Sequence, residues 1–235
     1  MNWIRKNIYW IASILTGGLI LWLVATAVSA HSVRIQPVGT LFGRPVPETD
    51  YLKALQAATH QAMLSHGDRF RKEVSAEQLE QQAWERLLLL WEAQRKGVRV
   101  SDQEVVAELQ SSPLFRDREG RFDTQGYQAV MQYALGTTPR VFEEELREEI
   151  MIQKMVREAI GSTATPTEEE IKKRYEEKTK EKPGLKDFES SRSDIEKELV
   201  VRKRLQNYMA WYQELLKRAQ PQKKAGGPGG GQAGP

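Results

Sequence analysis

The chain of 235 residues contains no cysteine and only three histidines, His31, His60 and His66. The absence of cysteine excludes disulfide bonds, cysteine nucleophiles and thiolate metal ligands. His60 and His66 are six residues apart, a spacing that does not place two imidazoles on one helical face as metal ligands. We expect both on the exposed surface, and we predict neither a metal site nor a cofactor.

The acidic residues form no recognisable catalytic or calcium site. Glu143–Glu145 and Glu168–Glu170 are expected in the first turns of helices, where the helix dipole favours negative charge. Asp117, Glu119 and Asp123 lie close in sequence, but their spacing lacks the alternating ligands and the final glutamate of an EF-hand. No glycine-rich phosphate loop precedes a helix. The residues alone therefore predict a protein that is not an enzyme.

Neither sign of charge is in excess. The formal net charge is +3 although 29% of the residues are charged, and acidic and basic residues alternate along the chain. This mixture is typical of solvated helix faces, whereas a nucleic-acid-binding surface concentrates positive charge. We therefore expect no nucleic-acid partner.

One stretch near the N-terminus lacks charge altogether. Residues 7–33 contain no Lys, Arg, Asp or Glu, and the apolar run 8–30 is long enough to cross a hydrocarbon core of roughly 30 Å as a helix. Arg5 and Lys6 precede this run. The positive-inside rule therefore places residues 1–7 in the cytoplasm and the body of the protein on the other side of the membrane.

Two further features bear on this segment. Trp10 and Trp22 suit interfacial or lipid-facing positions of a transmembrane helix. Val28–Ala30 is similar to a small-residue cleavage site, so a cleaved signal peptide is the alternative interpretation. The apolar run is longer than the roughly 7–15 residues of a signal-peptide core. We therefore predict a retained single-pass anchor.

Capping signals divide the rest of the chain into helices, which predicts an all-α body. Residues 31–48, rich in Pro and Gly, are expected to be an extended connector with a short strand near Val38–Phe42. Residues 220–235 are a Gly- and Pro-rich tail that we expect to be disordered. The predicted helices run from Thr49 or Asp50 to His66, from Ser75 to Gly97, from Ser101 to Pro113, from Asp123 to Gly136, from Thr138 to Gly161, from Thr167 to the break at Lys182–Gly184, and from Asp187 to Ala219.

The last predicted helix carries one continuous apolar seam. Its members recur at alternating steps of four and three residues, the spacing of a helix that lies against a partner helix. They are Val201, Leu205, Tyr208, Tyr212 and Leu215, followed by Ala219. We expect this seam to dock the helix on the rest of the body.

The most specific motifs lie between Ser112 and Tyr175. They are Ser112–Phe115 (SPLF), Gly120–Asp123 (GRFD), Phe142–Arg147 (FEEELR) and Pro166–Tyr175 (PTEEEIKKRY), with Gly43–Val46 and Gly97–Glu104 fitting upstream. Over roughly residues 35–180 the chain resembles the N-terminal chaperone domain of the SurA/PpiD family of bacterial periplasmic folding factors. The membrane anchor is similar to the PpiD type.

The resemblance implies the domain organisation. A SurA-like chaperone domain would cover residues 49–180, and a long helix at 187–219 would return to complete it. The family normally carries a parvulin-type peptidyl-prolyl isomerase domain between these parts, where only residues 181–186 stand here. No histidine follows His66, whereas the parvulin prolyl pocket is lined by histidine. No catalytic residue is therefore carried over to this chain.

The resemblance also implies a location and partners. The protein would sit in the bacterial inner membrane with a periplasmic body, and it would act as an ATP-independent holdase on unfolded or newly translocated polypeptides. The alternative is a scaffold subunit associated with the secretion translocon or another membrane complex; a prolyl isomerase is the less favoured reading. The candidate client-binding side chains are apolar or aromatic residues on predicted helix faces: Trp84, Leu88, Trp91, Phe115, Tyr127, Met131, Tyr133, Met151 and Met155.

Overall fold

The computed structural model describes residues 37–161, 165–181 and 187–224. This part of the chain is predominantly helical, which confirms the all-α part of the predicted fold class, and it adds a small antiparallel sheet. The elements in chain order are β1 (Gly39–Leu41), β2 (Arg44–Val46), α1 (Glu48–His66), a 3₁₀ turn (Gly67–Arg69), α2 (Phe70–Glu73), α3 (Ala76–Arg95), α4 (Asp102–Ser111), a 3₁₀ turn (Pro113–Phe115), α5 (Thr124–Ala129) running into a π-helical turn (Val130–Leu135), α6 (Pro139–Ile160), α7 (Glu168–Glu181), α8 (Phe188–Ala219) and β3 (Gln222–Lys223).

The predicted membrane segment is not part of this description. Residues 8–30 lie outside the described residues, as do Arg5, Lys6, Trp10 and Trp22. Among the residues that are described, every helix is too short or too polar to cross a bilayer.

The helices after α1 that carry a predicted cap begin where the capping signals placed them, whereas α1 begins at Glu48 after Pro47 and not with a cap at Thr49 or Asp50. At α3 the Ser75 hydroxyl accepts from the backbone N–H of Gln78, and the Gln78 side chain accepts from the N–H of Ser75 at 2.8 Å. The same reciprocal arrangement of Ser101 and Glu104 opens α4. These bonds satisfy backbone donors that a helix leaves unpaired at its first turn. They explain why local sequence was sufficient to place these element ends.

Part of the predicted connector, residues 31–48, forms a β-hairpin. β1 and β2 pair in antiparallel register, Leu41 opposite Arg44, through a turn whose residues Phe42 and Gly43 have φ of 53° and 71°. This left-handed pair matches the right-handed twist of a hairpin. The backbone N–H of Phe42 donates to the carbonyl of Ala219 at 2.7 Å, which ties the hairpin to the end of α8. The strand expected near Val38–Phe42 is therefore present, and the second strand was not predicted.

The prediction that the tail is disordered is wrong for residues 220–224, and residues 225–235 lie outside the described residues. Gln222 and Lys223 form β3, which pairs with β1, and the N–H of Lys224 donates to the carbonyl of Val38 at 2.9 Å. Gly39 allows this approach, because a Cβ there would lie 2.2 Å from the Gln222 carbonyl oxygen. Sequence patterns do not predict β3, because the strand consists of two exposed polar residues and has no hydrophobic pattern.

Three hydrophobic clusters hold the helices together. The first lies between the hairpin, α1, α3, α6 and the C-terminal end of α8. The second joins α4, the turn after it, α5 with its π-helical turn, and α6. The third joins α7 to the N-terminal half of α8 through Ile171, Ile195 and Leu199. The α7–α8 pair therefore forms an arm with its own small core.

The predicted seam of α8 docks over only part of its length. Leu215 and Ala219 are fully buried in the first cluster, and Tyr208 and Tyr212 are partly buried. Val201 and Leu205 are 64% and 59% exposed, so the prediction that they dock the helix is wrong. The reason is length, because a helix of 32 residues spans about 48 Å and extends beyond the helices that receive its C-terminal end.

Candidate functional site

Most of the candidate client-binding side chains are core residues. They are almost completely shielded from solvent, so the expectation that they contact a client is not met in this structure. The buried members are Leu88 and Met155 in the first cluster and Phe115, Tyr127 and Met131 in the second. Phe115 and Tyr127 meet edge to face with ring centroids 5.1 Å apart, a geometry typical of packed aromatic cores.

The remaining candidates are more accessible. Trp84, Trp91 and Met151 are partly buried and pack against the first cluster. Tyr133 is 81% exposed on the π-helical turn, so it is the member of the predicted set with the most accessible ring. Trp84 and Trp91 lie on α3, Met151 on α6 and Tyr133 on the π-helical turn, so the four residues do not share one face.

An apolar cleft lies between α6 and the middle of α8. It has a volume of about 920 Å³. Its α6 wall is the row Ile152, Val156 and Ile160, spaced four residues apart on one helical face. Tyr208 and Arg204 form its α8 wall. We call this feature the α6–α8 cleft.

An exposed apolar stripe on α8 adjoins the cleft. Val201, Leu205 and Met209 follow one another at four-residue steps, so they form one row on the helix surface. Leu205 is three residues from Tyr208, which places it beside the cleft wall. Single exposed apolar residues are ordinary, but an ordered row next to an apolar cavity is a candidate interaction surface. We call this row the α8 stripe.

Tyr208 gives the cleft a neutral polar group. Its hydroxyl donates to Glu85 of α3 at 3.4 Å. Burial, and then the negative charge of Glu85, raises the pKa of Tyr208 to about 12. The phenol therefore remains protonated at physiological pH, and the surface combines apolar side chains with a hydrogen-bonding group.

A buried charged network ties α1, α3 and α6 together. Arg86 of α3 pairs with Glu148 and Glu149 at 3.0 Å each and also donates to the carbonyl of Glu145 at 2.7 Å. Burial raises the pKa of Glu148, while the neighbouring Arg86 acts in the opposite direction. His60 is buried and lies 2.8 Å from the Glu145 carboxylate. This network fixes the position of α6, which supplies one wall of the cleft.

The network corrects two expectations from the sequence. His60 is not a surface residue; it faces Glu145 inside the α1–α6 contact. Glu143–Glu145 do not lie in a first helical turn, because α6 already begins at Pro139. Glu168–Glu170 do lie in the first turn of α7, as expected. Sequence shows the types of these residues, but only the packing of α1 against α6 reveals their pairing.

The acidic residues around Gly120 have local structural roles. The Asp117 carboxylate accepts from the backbone N–H groups of Glu119 and Arg121, at 2.9 Å each. Asp123 caps α5 by accepting from the N–H of Gly126 at 2.9 Å. These bonds account for the positions of Asp117 and Asp123 by the geometry of the turn and the cap.

Comparison with known proteins adds one finding. The sequence pattern described as the SurA-like N-terminal domain matches residues 1–156 of the chain. The match therefore ends within α6 and does not reach the arm. No curated protein and no solved structure matches the chain.

Proposed function

The chain belongs to the SurA-like N-terminal domain family, and from this membership we propose that it is an ATP-independent holdase for unfolded polypeptides. The observation that carries the proposal is the α8 stripe beside the α6–α8 cleft. A chaperone of this type needs accessible apolar surface that remains folded in the absence of a client. Val201 and Leu205 provide such surface without contributing to a buried cluster.

Client binding would rest on many weak contacts. Burying apolar area yields about 25 cal/mol per Å², and the ordering of a flexible client opposes this gain. A client segment would lay alternate apolar side chains on the α8 stripe and into the cleft against Val156 and Ile160. The Tyr208 hydroxyl, whose proton is donated to Glu85, would accept a hydrogen bond from a backbone N–H of the client. Such a surface selects for exposed apolar character and not for one sequence, and it needs no chemical step.

The proposal includes a location. Residues 8–30 would anchor the protein in the bacterial inner membrane, with residues 1–7 in the cytoplasm and the body in the periplasm. The charge-free run and the preceding Arg5 and Lys6 support this arrangement. A tethered body would meet polypeptides as they leave the translocon, before their apolar segments associate with one another.

The decisive experiment removes the α8 stripe without touching a core. In the double variant Val201→Ser with Leu205→Ser, we expect suppression of aggregation of a chemically unfolded model protein, followed by light scattering, to fall about fivefold or more, since each lost apolar contact is worth on the order of 1 kcal/mol. The control is Leu52→Ser on α1, because Leu52 is about half exposed but lies outside the stripe. Unchanged activity of the double variant would reject this surface as the client site.

Photo-crosslinking in membranes separates the holdase from the scaffold. A photoreactive residue at position 205 should capture many unfolded or newly exported polypeptides. If position 205 captures none, while a probe at Gly18 within the predicted anchor 8–30 captures a single membrane protein in fixed ratio, the protein is a scaffold subunit and the holdase proposal fails.

A further inference from the structure

A second cleft lies at the end of the body where the hairpin turn, the C-terminal end of α3 and the C-terminal end of α8 meet. Its volume is about 780 Å³. Three guanidinium groups surround it, from Arg44, Arg95 and Arg218, and Trp91 and Phe42 supply aromatic surface. We call it the Trp91 cleft. Neither the predicted core nor the α6–α8 cleft accounts for this concentration of arginine.

A buried carboxylate holds two of the arginines in place. Glu92 is only 2% exposed, and its two oxygens accept from Arg95 at 3.4 Å and from Arg218 at 3.1 Å. Each contact uses a single guanidinium nitrogen, and the side chains of Arg95 and Arg218 remain about half exposed. Glu92 therefore holds both guanidinium groups in position, and each group keeps further N–H donors that do not bond to Glu92.

The aromatic side of the cleft is also fixed. The guanidinium of Arg95 lies 4.5 Å from the centroid of the Phe42 ring, within the range of a cation–π contact. Phe42 adopts the left-handed conformation, which is unusual for a bulky residue, and its N–H is held by the carbonyl of Ala219. The ring is thus kept at the cleft by two contacts despite its backbone strain.

The balance of charge favours an anion. Asp50 and Glu92 oppose the three arginines, which leaves the cleft one positive charge in excess. Arg44 is exposed on β2, and its side chain makes no ion pair or hydrogen bond with the described residues. A planar guanidinium donates two parallel hydrogen bonds to a carboxylate, so Arg44 is the group best placed to bind one.

We infer that the Trp91 cleft binds a carboxylate group of a polypeptide client, with a neighbouring apolar side chain seated against Trp91. This inference rests on the proposed function, because it names the chemistry that the holdase selects. A concave site built from arginine forks and aromatic rings fits a carboxylate on a peptide. An anionic membrane surface is flatter and is typically met by flexible, projecting lysines. The carboxylate is either an Asp or Glu side chain or the C-terminus of the client.

The test is calorimetric titration of the full-length chain in uncharged detergent micelles with three short peptides that share a Phe and Leu core. One carries an internal Glu and an amidated C-terminus, one has Gln in place of Glu, and one is neutral except for a free C-terminal carboxylate. We expect a carboxylate peptide to bind at least about tenfold more tightly than the Gln peptide, the strength of one charge-assisted pair. The tighter of the two carboxylate peptides identifies the source of the group.

Variants assign this preference to the cleft. Arg44→Gln should remove the tenfold difference without loss of folding, because the Arg44 side chain makes no hydrogen bond or ion pair in the described part of the protein. Lys96→Gln removes a neighbouring positive charge outside the cleft and should leave the difference intact. Equal binding of all three peptides, or an equal effect of Arg44→Gln and Lys96→Gln, would overturn the inference. Displacement of the Glu peptide by phosphatidylglycerol vesicles, sensitive to Arg44→Gln, would also overturn it by identifying a membrane contact.

The two proposals fail separately. If the double variant of the α8 stripe loses its holdase activity while the peptides show no preference for a carboxylate, only the inference about the Trp91 cleft is rejected. If the double variant retains full activity, the proposed client surface is rejected, whatever the peptides show.

Discussion

At the scale of single residues, Glu104 links a helix start to a contact between helices. One carboxylate oxygen accepts from the backbone N–H of Ser101 at 2.9 Å and so completes the cap of α4. The other oxygen lies 2.6 Å from the Nζ of Lys154 on α6. The hydrogen bond from Lys154, followed by those from Ser101, lowers the pKa of Glu104 to about 2. The folded chain therefore stabilises the ionised form of Glu104.

This pKa predicts how stability varies with pH. The pKa of Glu104 is lower in the folded chain than its usual value of 4.5, so its contribution is fully present above about pH 4.5 and is lost as the pH falls towards 2. Glu104→Gln retains the shape of the capping side chain and removes the charge. We expect the variant to be less stable than the natural chain at pH 7 and the two to converge near pH 2. Urea unfolding across this range measures the difference, and a gap independent of pH would contradict the assignment.

At the scale of elements, α8 makes two contacts with opposite faces, because Ile195 and Leu199, which meet α7, lie about half a turn around the helix from Leu215. Its C-terminal turns bury Leu215 and Ala219 in the first cluster, and its N-terminal half pairs with α7. The face that buries Leu215 and Ala219 also carries Val201 and Leu205, which lie past the edge of the body and are exposed. A helix that only completed a core would expose no such row, because apolar surface in water lowers stability and solubility.

Two truncations compare the docked and the exposed parts of the α8 seam. Leu215→Ala should lower the free energy of unfolding by about 2–5 kcal/mol, because the residue is fully buried and its truncation leaves a cavity. Leu205→Ala should change it by less than about 0.5 kcal/mol, since that side chain is exposed. Chemical denaturation of both variants provides the measurement. Similar losses in the two variants would show that the whole seam is docked.

The sequence predicted the ends of elements better than their contacts. Caps such as Ser75 with Gln78 act within one turn, so they are visible in a local window. The exposure of Val201 depends on where α6 ends, and the pairing of His60 depends on the approach of α6 to α1. These facts are set by distant parts of the chain. Periodicity therefore located the apolar face of α8 without showing which part of it remains free.

The same dependence on distant contacts explains why most of the predicted client-binding residues are core residues. Leu88 and Met131 share their residue types and spacing with surface-binding residues, but they fill the centres of the first and second clusters. An apolar stripe indicates that a face is buried against something, and the partner is the body itself far more often than a client. The signal that was available for the α8 stripe was the length of the last helix. At 32 residues it exceeds α3 and α6, its main partners in the first cluster.

At the scale of the whole molecule, the two proposed surfaces use different forces. The α8 stripe and the α6–α8 cleft would hold clients by apolar burial, with Tyr208 as a neutral polar group. The Trp91 cleft would select a carboxylate by charge, through side chains that are about half exposed. A client that engages both would gain from the second contact once the first is made, because the linking chain raises its effective concentration at the other site.

Salt should separate these contributions in one protein. Screening shortens the range of exposed charge interactions from about 10 Å at 0.1 M to about 3 Å at 1 M, whereas apolar burial is not weakened by sodium chloride. Between these concentrations we expect aggregation suppression to remain within about twofold and the preference for the tighter carboxylate peptide over the Gln peptide to fall severalfold. Arg44→Gln should show no salt-dependent preference, and the stripe variant should retain it. A parallel loss of both activities with salt would mean that clients are held mainly by charge, and the apolar surface of α8 would then need another explanation.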